Sequence, residues 1–297
     1  MKFDNEACIN QVPKMQFSLL EHIRTTAFSA KLNNNYHKCA TLYKISAQYN
    51  NNPNKASDLY DSALCLKSQG NIKQAMITLT ESIESGFYNI EQVKNDFPSI
   101  TNKPFYLHLL TKVITNKKLY LKKINNTLLS LYEADQNDRK QSTLSKNPSQ
   151  QTIAMWNKIS ERDQQRTKRV IEITRHQLTL SADDYYHAAM ILQHSQAADG
   201  YYLAHQLCLN ALKVNPHHDK ARYLAAASLD RYLIAQQCPQ LFGTQYVIED
   251  GHFYQQPSHR ISNDLKLYWR VPSEDNYRKQ VNKLLKTNQP GNDQVKK

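Results

Sequence analysis

Apolar residues recur at three- and four-residue spacing along most of this chain. Over residues 15–50, Phe17, Leu20, Ile23 and Ala27, then Cys39, Leu42, Tyr43 and Ala47, keep that spacing, so two helices are expected, broken at Asn33-Asn34-Asn35. Asn50 to Asn54, with Pro53 inside, stops the second. The next stretch reads as a helical hairpin, one helix from about Ser57 to Gly70 and another from Asn71 to Gly86. Leu59, Ala63 and Leu66 on the first face Ala75, Leu79 and Ser82 on the second. Further helices are expected near 152–178, 182–197, 201–214 and 217–237, the second opened by the capping pair Ser181-x-x-Asp184. The period then shortens to two in TQYVIED and HFYQQP, which predicts a β-hairpin near 244–256. An amphipathic helix near 273–287 and a polar, disordered tail over 288–297 complete the expectation.

The hairpin over 55–87 resembles a tetratricopeptide repeat, with Gly70 at the tight turn and the small residues Ala75 and Ser82 around Leu79. A degenerate repeat precedes it, the usual Trp is absent, and Gly86-Phe87 replaces the usual terminal Pro. The following segment resembles the cap after the last repeat in bacterial proteins of this kind, with Gly86, Asp96, Phe97 and Pro104-Phe105 as its marks. That resemblance implies a mainly α fold, with a repeat-like region and capping helix over 1–124 whose surface takes a protein or peptide partner. The polar string KQSTLSKNPSQQ is an exposed connection within a second helical unit placed at 125–287.

Composition narrows the function classes. Only 6 of 297 residues are Gly, and neither GxGxxG nor GxxxxGK[ST] occurs, so no nucleotide cofactor is expected. The formal charge of +12 raises nucleic acid or an anionic surface as a partner. Its densest piece, Lys117, Lys118, Lys122 and Lys123, wraps around a helix without a stripe, which favours a solvated surface instead. The 5 Cys show no CxxC spacing, indicating neither a disulfide framework nor zinc, and fitting a reducing compartment. No run reaches the roughly 18 apolar residues of a membrane span. The N-terminus MKFDNEACINQVPK shows no signal peptide, and the Asn- and Lys-rich composition is compatible with a cytoplasmic protein or a secreted effector.

Polar residues concentrate in the second half where apolar ones would be ordinary. They are Asp135, Gln136 and Arg139; Asp163 and Arg166; Asp184; Gln193, His194 and Ser195; Asp230 and Arg231; and Gln240, Gly243, Thr244 and Gln245. LAAASL precedes Asp230, so that charge needs a buried partner. The strings LYEADQNDR, SADDYYHAAMILQHS and ARYLAAASLDRYLIAQQCPQLFGTQ resemble an uncharacterised bacterial helical family with the signature D-Q-x-x-R, Q-H, D-R and Q-x-[YF]-G-T-Q. The resemblance spans 128–285 and implies a shared fold and site without a reaction. As a site, Arg139, Gln193, Arg231, Gln240, Thr244 and Gln245 would hold a small anionic ligand, and His194 would act as acid or base oriented by Asp135 or Asp230. As a scaffold, the same residues would tie helices to the hairpin. No metal spacing such as HExxH is present, and no Ser–His nucleophile arrangement is available, because Ser195 directly follows His194. A binding or adaptor protein is therefore expected, with an enzyme on an anionic substrate as the alternative.

Overall fold

The structure, a computed structural model, describes residues 18–98, 106–141, 149–176, 179–249, 252–255, 258 and 261–279. The helices are α1 (Leu19–Leu32), α2 (Tyr36–Ala47), α3 (Lys55–Ser68), α4 (Ile72–Glu84), α5 (Ile90–Asp96), α6 (Leu107–Leu121), α7 (Asn126–Gln141), α8 (Gln150–His176), α9 (Ala182–Leu192), α10 (Ala198–Val214), α11 (Asp219–Ala235) and α12 (Asn263–Tyr268). Strands β1 (Tyr246–Glu249) and β2 (His252–Gln255) pair antiparallel, with Tyr246 opposite Gln255. The fold is thus mainly α, and no described helix is long and apolar enough to cross a membrane. Of the helix expected near 273–287, residues 274–279 are helical; its remainder, Pro104-Phe105, most of KQSTLSKNPSQQ and the tail over 288–297 lie outside the described residues.

Local chemistry sets the helix ends. Asn35, Asn71 and Asn89 each accept a backbone N–H three residues on, which is why Asn-rich breaks start new helices. Gly70 ends α3 at φ +86, a conformation that disfavours any side chain. Between α3 and α4, Leu59, Ala63, Ala75 and Leu79 are buried, and Ser82 donates its hydroxyl to the Ala56 carbonyl at 2.6 Å. Asn116 of α6 caps this stack by donating to the carbonyls of Ile83 and Phe87 at 2.7 and 2.9 Å.

Two expectations change here. The buried stripe of α1 is Glu21, Arg24, Ala27 and Ala30, while Leu19 is 65% exposed; the face drawn through Leu20 and Ile23 is displaced. Charge goes inward because its partners wait there. Arg24 meets Asp58 at 3.1 Å and Asp219 at 2.8 Å, and Glu21 accepts from Arg222, Arg270 and His217. The second change is a disulfide between Cys39 and Cys65, whose Cα atoms are 6.0 Å apart across α2 and α3. Helix packing unites two thiols whose 26-residue separation carries no sequence signal.

The buried apolar residues form separate clusters. Tyr60, Leu79, Ile83, Phe97, Leu109 and Val113 fill one in the first half, and Leu128, Ile191, Leu207, Leu229, Phe242 and Trp269 belong to the largest, in the second. His187 sits against this larger cluster, stacked on Tyr132 with ring centroids 4.5 Å apart. It is 6% exposed, and its Nδ1 has no partner among the described residues. Burial lowers its pKa from 6.5 to about 4 against the pull of Asp183 and Asp184. As pH falls below 6.5 the unfolded chain takes this proton first, so stability is lost until the folded value near 4 is reached. The loss from this group is about 2 kcal/mol at about pH 5. His187→Phe keeps a ring on Tyr132 and should remove that slope. Urea unfolding of both proteins at about pH 7 and about pH 5 measures it, and parallel pH dependence would show that His187 accepts a proton without penalty.

Candidate functional site

The polar residues of the second half divide into two groups. The first arises because α7 and α9 run in the same direction, in register. Asn125 N–H donates to Asp184 Oδ1 at 2.8 Å at one end, and His194 Nδ1 meets Asp135 Oδ1 at 2.9 Å at the other, each pair 59 residues apart. Asp184 is used by the capping box of Ser181, so its role is structural. His194 lies just past Gln193, the C-cap of α9, in a turn, where the helix expected over 182–197 has already ended.

Asp135 is fully buried and also accepts from Gln136 Nε2 at 2.8 Å and Arg139 Nη2 at 3.2 Å. Burial pushes its carboxyl up, but the hydrogen bond and charge of His194, with Arg139 and Gln136, outweigh it and hold the group below its ordinary range. The ionised Asp135 therefore accepts a hydrogen bond from Nδ1–H and fixes the ring. Nε2 of His194 has no partner among the described residues. Arg139 continues from Asp135 to Asp163, Arg166 from Asp163 to Asp138, and Arg162 closes on Asp138. These three arginines are matched by three carboxylates across α7 and α8.

Arg231 differs. Its Nε donates to Gln245 Oε1 and its Nη1 to the Gln193 carbonyl, both at 3.1 Å, and no carboxylate among the described residues pairs with it. Arg231, His194, Gln193 and Arg139 line one open cleft of about 290 Å³ together with Trp156, Ser160, Asp163, Ser195 and Tyr201. Gly200 keeps the His194 turn close to α10: a Cβ there would lie 1.8 Å from Ser195 Oγ.

The second group is a clasp. Asp230 is fully buried; its Oδ1 accepts from Leu241 and Phe242 N–H at 2.7 and 2.9 Å, and its Oδ2 from Thr244 N–H and Oγ1 at 2.9 and 2.8 Å. The Gln240 side chain brackets the Gln245 backbone, donating from Nε2 to its carbonyl at 3.0 Å and accepting its N–H on Oε1 at 2.9 Å. Asp230, Gln240 and Thr244, expected at the site, thus hold the turn before β1 and do not line the cleft. Adjacent helical residues point about 100° apart, so Asp230 serves the clasp while Arg231 reaches the cleft. Gln245 joins the two groups through Arg231. Trp156 and Tyr201 escaped the sequence reading because single aromatics in polar helical stretches carry no motif. Comparisons with family models, curated proteins and solved structures find no match to this chain.

Proposed function

We propose that this chain is a helical binding protein whose second half holds a small anionic ligand in the cleft at Arg231 and His194. The carrying observation is Arg231, a guanidinium in an open cleft whose bonds among the described residues go only to neutral oxygens. Its N–H groups left over from Gln245 and Gln193 match a carboxylate or phosphate. The first half, with its tetratricopeptide-like hairpins and capping helix over 1–124, would present a protein or peptide with the cleft of about 620 Å³ lined in part by Lys44, Asn51, Lys55 and Glu81. The unit over 125–287, with its β-hairpin, would carry the anion site. The Cys39–Cys65 bridge favours an oxidising setting, which suits a secreted protein better than a cytoplasmic one.

Arg231→Gln should weaken binding of inorganic phosphate or acetate by about 10- to 100-fold, because a charged donor is lost from the cleft. Arg231→Lys should recover part of it, as a point charge without the fork. Titration calorimetry on the three proteins decides, and unchanged affinity in Arg231→Gln would dismiss the reading. A second reading, acid–base catalysis on the bound anion, is favoured by His194 Nδ1 resting on buried Asp135, the arrangement that presents Nε2 for proton transfer.

A further inference from the structure

We propose that the anion taken by this cleft is carried on a single flat aromatic ring, which lies against Trp156 and Tyr201 while its acidic group meets Arg231 and His194 Nε2. The proposal rests on the anion-binding reading above and names its ligand class.

Several aromatic side chains elsewhere among the described residues are partnered. Tyr60 stacks on Phe87 at 4.0 Å, Tyr88 on Tyr120 at 3.8 Å, and Trp269 packs on Phe242 at 5.6 Å with 2% exposure. Trp156 is half-buried in the cleft wall on α8 and has no ring contact among the described residues. Tyr201, at the start of α10, is likewise half-buried without a ring or hydroxyl partner among them. Two aromatic faces without ring partners, beside a guanidinium without a carboxylate, all among the described residues, ask for apolar ring surface and negative charge in one molecule.

Other anions fit less well. A bare acid would leave Trp156 uncovered. A sugar acid would need several partners for its hydroxyls, yet three of the polar lining side chains are already engaged: Ser160 Oγ accepts from Gln196, Ser195 Oγ donates to the Ala197 carbonyl, and Asp163 is held by Arg139 and Arg166. About 290 Å³ is the small end of ligand pockets, suited to one ring and one acidic group.

Titration calorimetry of the full chain with phenyl phosphate against inorganic phosphate, and benzoate against acetate, tests this. Phenyl phosphate or benzoate should bind about tenfold more tightly than its ringless counterpart. The better pair identifies the acidic group. Trp156→Leu should erase most of that ratio between ring-bearing and ringless anions, and Tyr201→Leu should reduce it in the same direction. Equal affinity with and without the ring, or an advantage that survives both substitutions, overturns the ring while anion binding stands. Absence of binding by all four probes overturns both.

Discussion

Glu21→Gln is expected to destabilise the protein by about 3–5 kcal/mol at neutral pH, the cost of breaking a buried ion pair from one side. Glu21 is 3% exposed and accepts from Arg222 Nη2 at 2.7 Å, Arg270 Nη2 at 2.9 Å, His217 Nδ1 at 2.9 Å and Thr25 Oγ1 at 3.1 Å. Arg222 is itself 1% exposed and stacked on Tyr268 at 4.2 Å, so it has no route to water when its carboxylate goes. The cluster joins α1 to α11 and to the segment after α12, so its loss acts on both halves of the chain. Burial alone would raise the Glu21 pKa, but the hydrogen bonds of His217 and Arg222 and the charges of Arg270 and Arg222 drive it far below its ordinary 4.5. Its contribution is therefore complete above pH 4.5 and declines as pH falls through the lower folded value. Guanidinium unfolding midpoints read the effect, and the acid limb of stability should flatten in Glu21→Gln. Adding Arg222→Met should restore part of the loss, since the orphaned charge is then removed. A cost below about 1 kcal/mol would mean that water screens the cluster and that α1 is held mainly by its alanines.

How far each feature was legible depends on the range of the forces that make it. Helices α3, α4 and α9 to α11 follow from spacing and caps within a dozen residues, and the capping box at Ser181 and Asp184 forms as expected. The meeting of Asp135 and His194 depends on the parallel course of α7 and α9, which no local pattern encodes. Polar residues in apolar surroundings marked Asp230 correctly as buried, yet burial alone does not separate a clasp from a site; the four hydrogen bonds do. Glu21 and Arg24 themselves carry no local signal of burial, because the apolar spacing through Phe17, Leu20, Ile23 and Ala27 passes them by. Ala27 and Ala30, at the same three-residue spacing, were the signal that the stripe turns inward there. Trp156 and Cys39–Cys65 are long-range encounters of single residues, invisible to periodicity.

Asp230→Asn tests the division between clasp and cleft. The amide places an N–H₂ where two donors now converge, so at least one of Thr244 N–H and Oγ1, or of Leu241 and Phe242 N–H, is left facing another donor. The expected cost is about 2–4 kcal/mol, from unsatisfied buried groups and the loss of charge-assisted bonds. Thr244→Val removes one hydroxyl donor and keeps the backbone bonds, so about 1 kcal/mol is expected there. The clasp fixes Gln245, and Gln245 holds Arg231 Nε at 3.1 Å. Anion affinity of the folded Asp230→Asn protein should therefore fall only by the modest factor that follows from a loosened Arg231, well short of the Arg231→Gln loss. Thermal unfolding and calorimetry on the same samples separate these effects. A variant that stays as stable as the parent but no longer binds anions would place Asp230 in the site itself. One that unfolds early while binding nearly as well identifies a carboxylate buried to hold the turn from which the cleft is supported.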